Sequence, residues 1–265
     1  MKHHRRGRLT AAFLTVLALC GAGASSALAD NYVALGDSYS SGTGTRDYSL
    51  NSGCQRGPYA YPYLIKQHRA NTTLNFVACS GAKTGDVLAN QISAVNSSTN
   101  IVTITIGGND AGFSDVITEC AKPSWLSNCS GRVTTAQNYI RNTLPGQLNN
   151  VYSQIKSRAS ATAKVVVLGY PRIFNGEDCN AGTWFSPDDE TRLNATADLL
   201  SSTTSGRAAA YGFTFKSAIP AFTGHAVCDS TEWLNGLSNP IGDSYHPNRL
   251  GHSSGYEPLV RAVIG

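Results

Sequence analysis

The sequence predicts an α/β protein: a three-layer α/β/α sandwich around a central, mostly parallel sheet. Two observations carry this. Short strand-like runs alternate with helix-length stretches along the chain, the pattern of repeated βαβ units. Several of the runs also end directly in glycine-rich polar clusters, and the carboxyl ends of parallel strands are where open α/β sheets place their sites.

The first run, Tyr32-Val33-Ala34-Leu35, is apolar throughout and stops at Gly36-Asp37-Ser38. A second, over 73–78, centres on Phe76-Val77-Ala78 and leads to Gly81. A helical stretch is expected over 84–95. The third strand, 101–106, is rich in β-branched residues and gives way to Gly107-Gly108-Asn109-Asp110. Helix is then expected over 133–158, with Pro145 as an interruption. Lys164-Val165-Val166-Val167-Leu168-Gly169 is apolar on both faces, as a strand covered by helices on each side must be. A long helix over 187–209, containing Ser and Thr runs, a strand over 212–217 and a last helix over 248–263 complete the order.

The N-terminus carries a targeting pattern. Lys2, Arg5, Arg6 and Arg8 precede an apolar run from Leu9 to about Cys20, and Ala27-Leu28-Ala29 has the small-x-small pattern of a cleavage site. A signal peptide is expected over 1–29, general secretion follows, and residues 30–265 are expected to form a single domain. The apolar run is too short to span a bilayer, so no stable membrane insertion is expected. Four of the 21 basic residues and none of the 17 acidic ones lie in 1–29, which leaves 17 of each in the remainder. Bulk charge therefore gives no support for a nucleic-acid partner.

Of seven cysteines, Cys20 belongs to the leader, and Cys54, Cys79, Cys120, Cys129, Cys179 and Cys228 remain. An even number in a secreted chain predicts disulfides, and spacing alone leaves the pairing open. No C-x-x-C spacing suggests a metal.

Four stretches supply the parts of an acyl-transfer site: Gly36-Asp37-Ser38, Gly81, Gly107-Gly108-Asn109-Asp110, and Asp243-Ser244-Tyr245-His246-Pro247. A serine hydroxyl is a weak nucleophile until a base lies within hydrogen-bond reach. Beyond residue 29 the histidines are His68, His225, His246 and His252. His246, in a turn-forming polar segment before the last helix, is the expected base; His225 is second choice, and His68 and His252 read as surface residues. Asp37 and Ser38 also suit a plain helix cap. Asp37, Asp110 and His246 make a poor metal site, and no H-E-x-x-H occurs.

In these four blocks the chain resembles the SGNH hydrolases, or GDSL lipases and esterases, whose signatures centre on a Ser, Gly, Asn and His in that order. The resemblance spans nearly all of 30–265. Tyr39 stands where the family name has a leucine, a replacement found in similar secreted actinobacterial lipases. The resemblance implies a flavodoxin-like arrangement, Ser38 as nucleophile, His246 as base, and an oxyanion hole from Ser38, Gly81 and Asn109. Asp243, three residues before His246, matches the third triad member, although some similar enzymes use a main-chain carbonyl there. It also implies sequential cysteine pairing, no cofactor and no metal.

The expected activity is hydrolysis of fatty-acyl or small soluble carboxyl esters by a secreted monomer. Phospholipase A1-type action and polysaccharide deacetylation are the alternatives. A non-catalytic lipid- or glycan-binding module would not need all four residues. Tyr39, Tyr59, Tyr61, Tyr63, Phe113, Trp125, Trp184 and Phe185 are candidates to line an acyl cleft.

Overall fold

A computed structural model describes residues 1–3 and 29–265. The apolar leader with Cys20 lies outside the described residues. Five parallel strands form one sheet: β1 (Asp30–Gly36), β2 (Thr72–Phe76), β3 (Ile101–Thr105), β4 (Lys164–Leu168) and β5 (Thr214–Lys216). Their spatial order is β2-β1-β3-β4-β5. This is the flavodoxin-like order, and its switch point falls between β1 and β3, where connections leave in opposite directions and a crevice opens. All five strands match expected runs, with ends moved by a few residues.

The helices are α1 (Ser38–Ser41), α2 (Tyr61–His68), α3 (Thr84–Asp86), α4 (Phe113–Cys120), α5 (Cys129–Asn142), α6 (Leu144–Arg158), α7 (Pro187–Ala210) and α8 (Glu257–Ile264). α2 and α8 cover one face of the sheet; α6 and the later part of α7 cover the other. Between them β1, β3 and β4 bury nearly every side chain, including Val33, Leu35, Ile104 and Val167.

Three helical expectations are modified. The 84–95 stretch is α3 followed by a π-helical turn, Val87–Gln91, and a 3₁₀ turn, Ile92–Ala94. Its widening brings the Gln91 side chain to Gly36, whose N–H and carbonyl it pairs at 2.8 and 2.9 Å. The 133–158 stretch breaks at Thr143, and Pro145 sits in the first turn of α6, where its missing N–H costs nothing. The last helix begins as a π-helical turn, Gly251–Tyr256. Among the elements not anticipated, α2 and α4 are each only 8 residues long, too short to carry a firm periodicity.

Because α6 carries the chain from the carboxyl edge of β3 back to the start of β4, its N-terminus lies at that edge, and Leu144 sits against Gly107. α5 precedes it and therefore extends beyond the sheet, packed on α4 and on α7. Gln137 of α5 donates to Thr196 of α7 at 3.0 Å. This projecting three-helix group forms one wall of the site.

Three disulfides pair in sequence order: Cys54–Cys79, Cys120–Cys129 and Cys179–Cys228. They tie the segments that follow β1 and β2, the α4–α5 turn, and the two long loops after β4 and β5. Among the described residues no helix is long and apolar enough to cross a membrane.

Candidate active site

β1 ends at Gly36, in a left-handed conformation (φ +120°) where a Cβ would lie 2.4 Å from the Thr105 carbonyl oxygen. Only glycine fits there. Asp37 then caps α1, accepting from the Tyr39 N–H at 3.1 Å. Its carboxylate also accepts from the Thr105 hydroxyl at 2.7 Å and from the Tyr170 hydroxyl. The cap and the site are thus the same turn: holding Asp37 fixes where Ser38 points. Burial pushes the Asp37 carboxyl up to about 6, against the pull of these hydrogen bonds.

Ser38 Oγ lies 2.9 Å from His246 Nε2 across the crevice. His246 Nδ1 lies 2.8 Å from the Ser244 carbonyl oxygen, which accepts only, so the ring proton sits on Nδ1 and the Nε2 lone pair faces the serine. Burial lowers the imidazole pKa to about 4, opposed by that carbonyl and by the nearby Asp243 charge. At neutral pH the ring is an uncharged acceptor, the arrangement a serine needs to become a nucleophile.

The Asp243 carboxylate does not occupy the expected third place. It accepts from the Tyr48 hydroxyl, and its other oxygen, Oδ2, has no hydrogen-bond partner. The short Asp243-Ser244-Tyr245-His246 turn puts the Ser244 carbonyl against the ring, while the fully buried Asp243 side chain turns to Tyr48. Its influence on His246 is through space.

The Gly81 and Asn109 turns lie side by side. Gly81 follows β2 with φ +80°, and nothing lies within 4 Å of where a Cβ would be. Among the described residues neither the Ser38 nor the Gly81 N–H donates a hydrogen bond. Asn109 Nδ2 donates to the Ala82 carbonyl at 3.1 Å, so one amide hydrogen fixes the side chain beside the Gly81 turn and the other is left over. Asp110 accepts from Thr84 N–H and, at 2.6 Å, from its hydroxyl, which ties the β3 loop to α3.

Sequence reasoning missed how the two halves of the site are joined. The Tyr39 hydroxyl donates to the Tyr245 carbonyl at 2.7 Å, so the residue after Ser38 holds the residue before His246. Tyr170 does similar work, donating to Asp37 and accepting from the Gly108 N–H at 3.2 Å. Neither link has a local sequence signal, since the partners are 206 and 133 residues apart.

The other histidines stand elsewhere. His252, expected at the surface, is fully buried, accepts from the Tyr61 N–H at 3.3 Å, and has its pKa lowered to about 3 by burial. His225 bonds the Thr231 carbonyl and stacks on Trp233, with ring centroids 3.8 Å apart. His68 pairs with Glu257.

An apolar cleft opens beside Ser38 and runs between α4, α5 and α7, lined by Phe113, Val116, Ile117, Ile140, Leu193 and Leu200 among others. Of the aromatic candidates only Tyr39 and Phe113 line it. Tyr61 is buried in the core, Phe185 packs on Phe174, Tyr59 lies under the Arg249 guanidinium, and Tyr63 lies beside Lys66. Trp125 and Trp184 are exposed.

Comparison with known proteins agrees with this geometry. A "Lipase" from Streptomyces rimosus is 46% identical, with 99% of this chain and 100% of that protein covered. The crystal structure of the extracellular lipase from the same organism superimposes with a TM-score of 0.83 at 45% identity, over 89% of this chain and 100% of that one. The structure of phospholipase A1 from Streptomyces albidoflavus gives a TM-score of 0.83 at 46% identity, over 89% of this chain and 99% of the other. The family model for the GDSL-like Lipase/Acylhydrolase family matches residues 34–253, a span that contains Ser38, Gly81, Asn109 and His246. By that match and those relatives, the chain belongs to the GDSL-like lipase/acylhydrolase family.

Proposed function

We propose that this protein is a secreted serine carboxyl-ester hydrolase that cleaves fatty-acyl esters through an acyl-enzyme on Ser38. One observation carries the reading: the Ser38 hydroxyl faces the unprotonated nitrogen of a buried imidazole at 2.9 Å, at the mouth of an apolar cleft. Ser38 Oγ attacks the ester carbonyl as its proton passes to His246 Nε2. The Ser38 and Gly81 N–H groups and the second Asn109 amide hydrogen receive the oxyanion, and one such donor is typically worth about 3–4 kcal/mol. Nε2 returns the proton to the leaving alcohol, and water then repeats the sequence to free the acid. The acyl chain lies between α4, α5 and α7, where its transfer from water is favoured by roughly 0.8 kcal/mol per buried CH₂.

Secretion is part of the proposal, supported by the N-terminal pattern and by three disulfides. The 1–29 leader, a single catalytic domain over 30–265 and a monomeric state belong to the same reading. Phospholipase A1-type action is a second reading, favoured by the 46% identity to the Streptomyces albidoflavus enzyme.

The test is hydrolysis of p-nitrophenyl esters, triacylglycerols and phosphatidylcholine by the wild type and Ser38→Ala. The variant should retain its circular dichroism spectrum and lose roughly 10⁴-fold or more in kcat on every substrate. Near-normal turnover by a folded Ser38→Ala protein removes the assignment. Regiochemistry of phosphatidylcholine cleavage separates the two readings.

A further inference from the structure

We propose that the tip of the projecting helices is a docking surface for a zwitterionic lipid aggregate, an inference that rests on the ester-hydrolase reading for its use. The α4–α5 turn exposes Trp125 and Leu126 at 78% and 66%, and the segment before α7 exposes Trp184 at 53%. The two segments are joined: the Trp184 N–H donates to the Ala121 carbonyl at 3.1 Å. Gly182 lies against the loop that carries His246, its Cβ position 3.5 Å from Leu237, and that loop also exposes Ile241 at 70%. Patches of this kind, large and rimmed by polar residues, mark contact surfaces on proteins.

The turn bearing Trp125 is not free to fold these side chains back. Cys120–Cys129 closes its base, Ser127 Oγ donates to the Glu119 carbonyl at 2.9 Å, and the Asn128 N–H donates to the Glu119 carboxylate at 2.7 Å. A pinned turn that holds a tryptophan in water keeps it available for a second phase. Tryptophan suits the headgroup level of a bilayer, its ring apolar and its N–H wet.

Position and charge choose the occupant. α5 lies beyond the carboxyl edge of the sheet, the edge that carries Ser38 and His246, so the tip and the cleft share one side of the molecule. Val116 and Ile117 of α4 line the cleft, so the helix that leads into the exposed turn also walls the approach to Ser38. Residues 119–132 and 177–192 hold five acidic side chains that are not buried (Glu119, Glu177, Asp178, Asp188, Asp189) against three basic ones (Lys122, Arg132, Arg192), with Glu190 buried. That excess repels anionic lipid, leaving a neutral-headgroup surface as the fitting partner.

The experiment uses Ser38→Ala, so that lipid is not consumed, with phosphatidylcholine vesicles. Two of the three tryptophans lie on the patch, so intrinsic fluorescence reports directly. Binding should blue-shift the emission and expose it to quenching by brominated lipid. Vesicles doped with phosphatidylglycerol should bind more weakly at low salt. Trp125→Ser with Trp184→Ser, read by co-sedimentation with the vesicles, should weaken binding at least tenfold, while the same pair on the wild-type background leaves kcat/KM for p-nitrophenyl acetate within about twofold. Unchanged binding by the double variant, no binding by the parent, preference for anionic vesicles, or a dimer in sedimentation that the pair abolishes would each overturn the proposal. Failure of all ester hydrolysis with binding intact would instead overturn the enzyme reading and leave the docking surface standing.

Discussion

At the scale of single residues, the proposed mechanism gives the hydrogen bond from His246 to the Ser244 carbonyl the place of the carboxylate in a Ser-His-Asp triad. An uncharged acceptor still fixes the tautomer, which is most of what the third member does. Asp243→Asn should therefore cost less than about tenfold in kcat on a soluble ester, about 1.4 kcal/mol of barrier. A loss near 10⁴-fold, the size expected when a triad aspartate is replaced, would restore Asp243 to the triad. The same burial sets the pH response. In the proposed mechanism His246 serves as base only when neutral, and burial lowers its pKa to about 4, so its limb of kcat/KM should rise near pH 4, not near 6.5. Asp37, raised to about 6, lies beside Ser38 and is the group whose ionisation adds an upper step. In Asp37→Asn that step should vanish and leave the His246 limb alone. A single limb with its midpoint at 6.5 in that variant would show that the imidazole is not desolvated.

At the scale of elements, α7 joins fold and specificity. Its Ser186 cap donates and accepts in a capping box with Asp189, its later half covers β4 and β5, and its early half faces the cleft. Ala197 lies on that early half and lines the cleft. Ala197→Phe fills the space two or more methylenes of an acyl chain would take, roughly 0.8 kcal/mol each. kcat/KM on p-nitrophenyl decanoate should fall about tenfold or more while the acetate is hardly affected. Equal effects on both would mean that the acyl chain lies elsewhere. The break between α5 and α6 at Thr143 belongs to the same scale: it lets one helix cover the sheet and the other wall the cleft.

At the scale of the whole molecule, the cysteine pairs close loops away from the sheet, each by a short or moderate path, with sequence separations of 25, 9 and 49. Thiol titration of the denatured, unreduced mature protein should find none free. Two or more free thiols would remove at least one bridge. The sheet order places β1 and β3 side by side, so the Ser38 and Asn109 turns open on one crevice although 71 residues separate them.

The sequence by itself determined the five strands, most plainly β1, β3 and β4, which are apolar on both faces as buried parallel strands must be and run into glycine at Gly36, Gly107 and Gly169. It also marked Ser38, Gly81, Asn109 and His246 as the residues of the proposed site, since each stands in a recognisable short block. What only the tertiary structure decided is what those residues touch. A carboxylate three residues from His246 and a carbonyl two residues from it fit the sequence equally well, and loop geometry alone turned the Asp243 side chain toward Tyr48. The burial of His252 and the Tyr39 tether to Tyr245 had the same origin. The cleft drew its walls from α4, α5 and α7, not from the tyrosines around 59–63. Periodicity and motif are local properties of a chain, whereas hydrogen-bond choice and desolvation depend on neighbours that packing brings from far away.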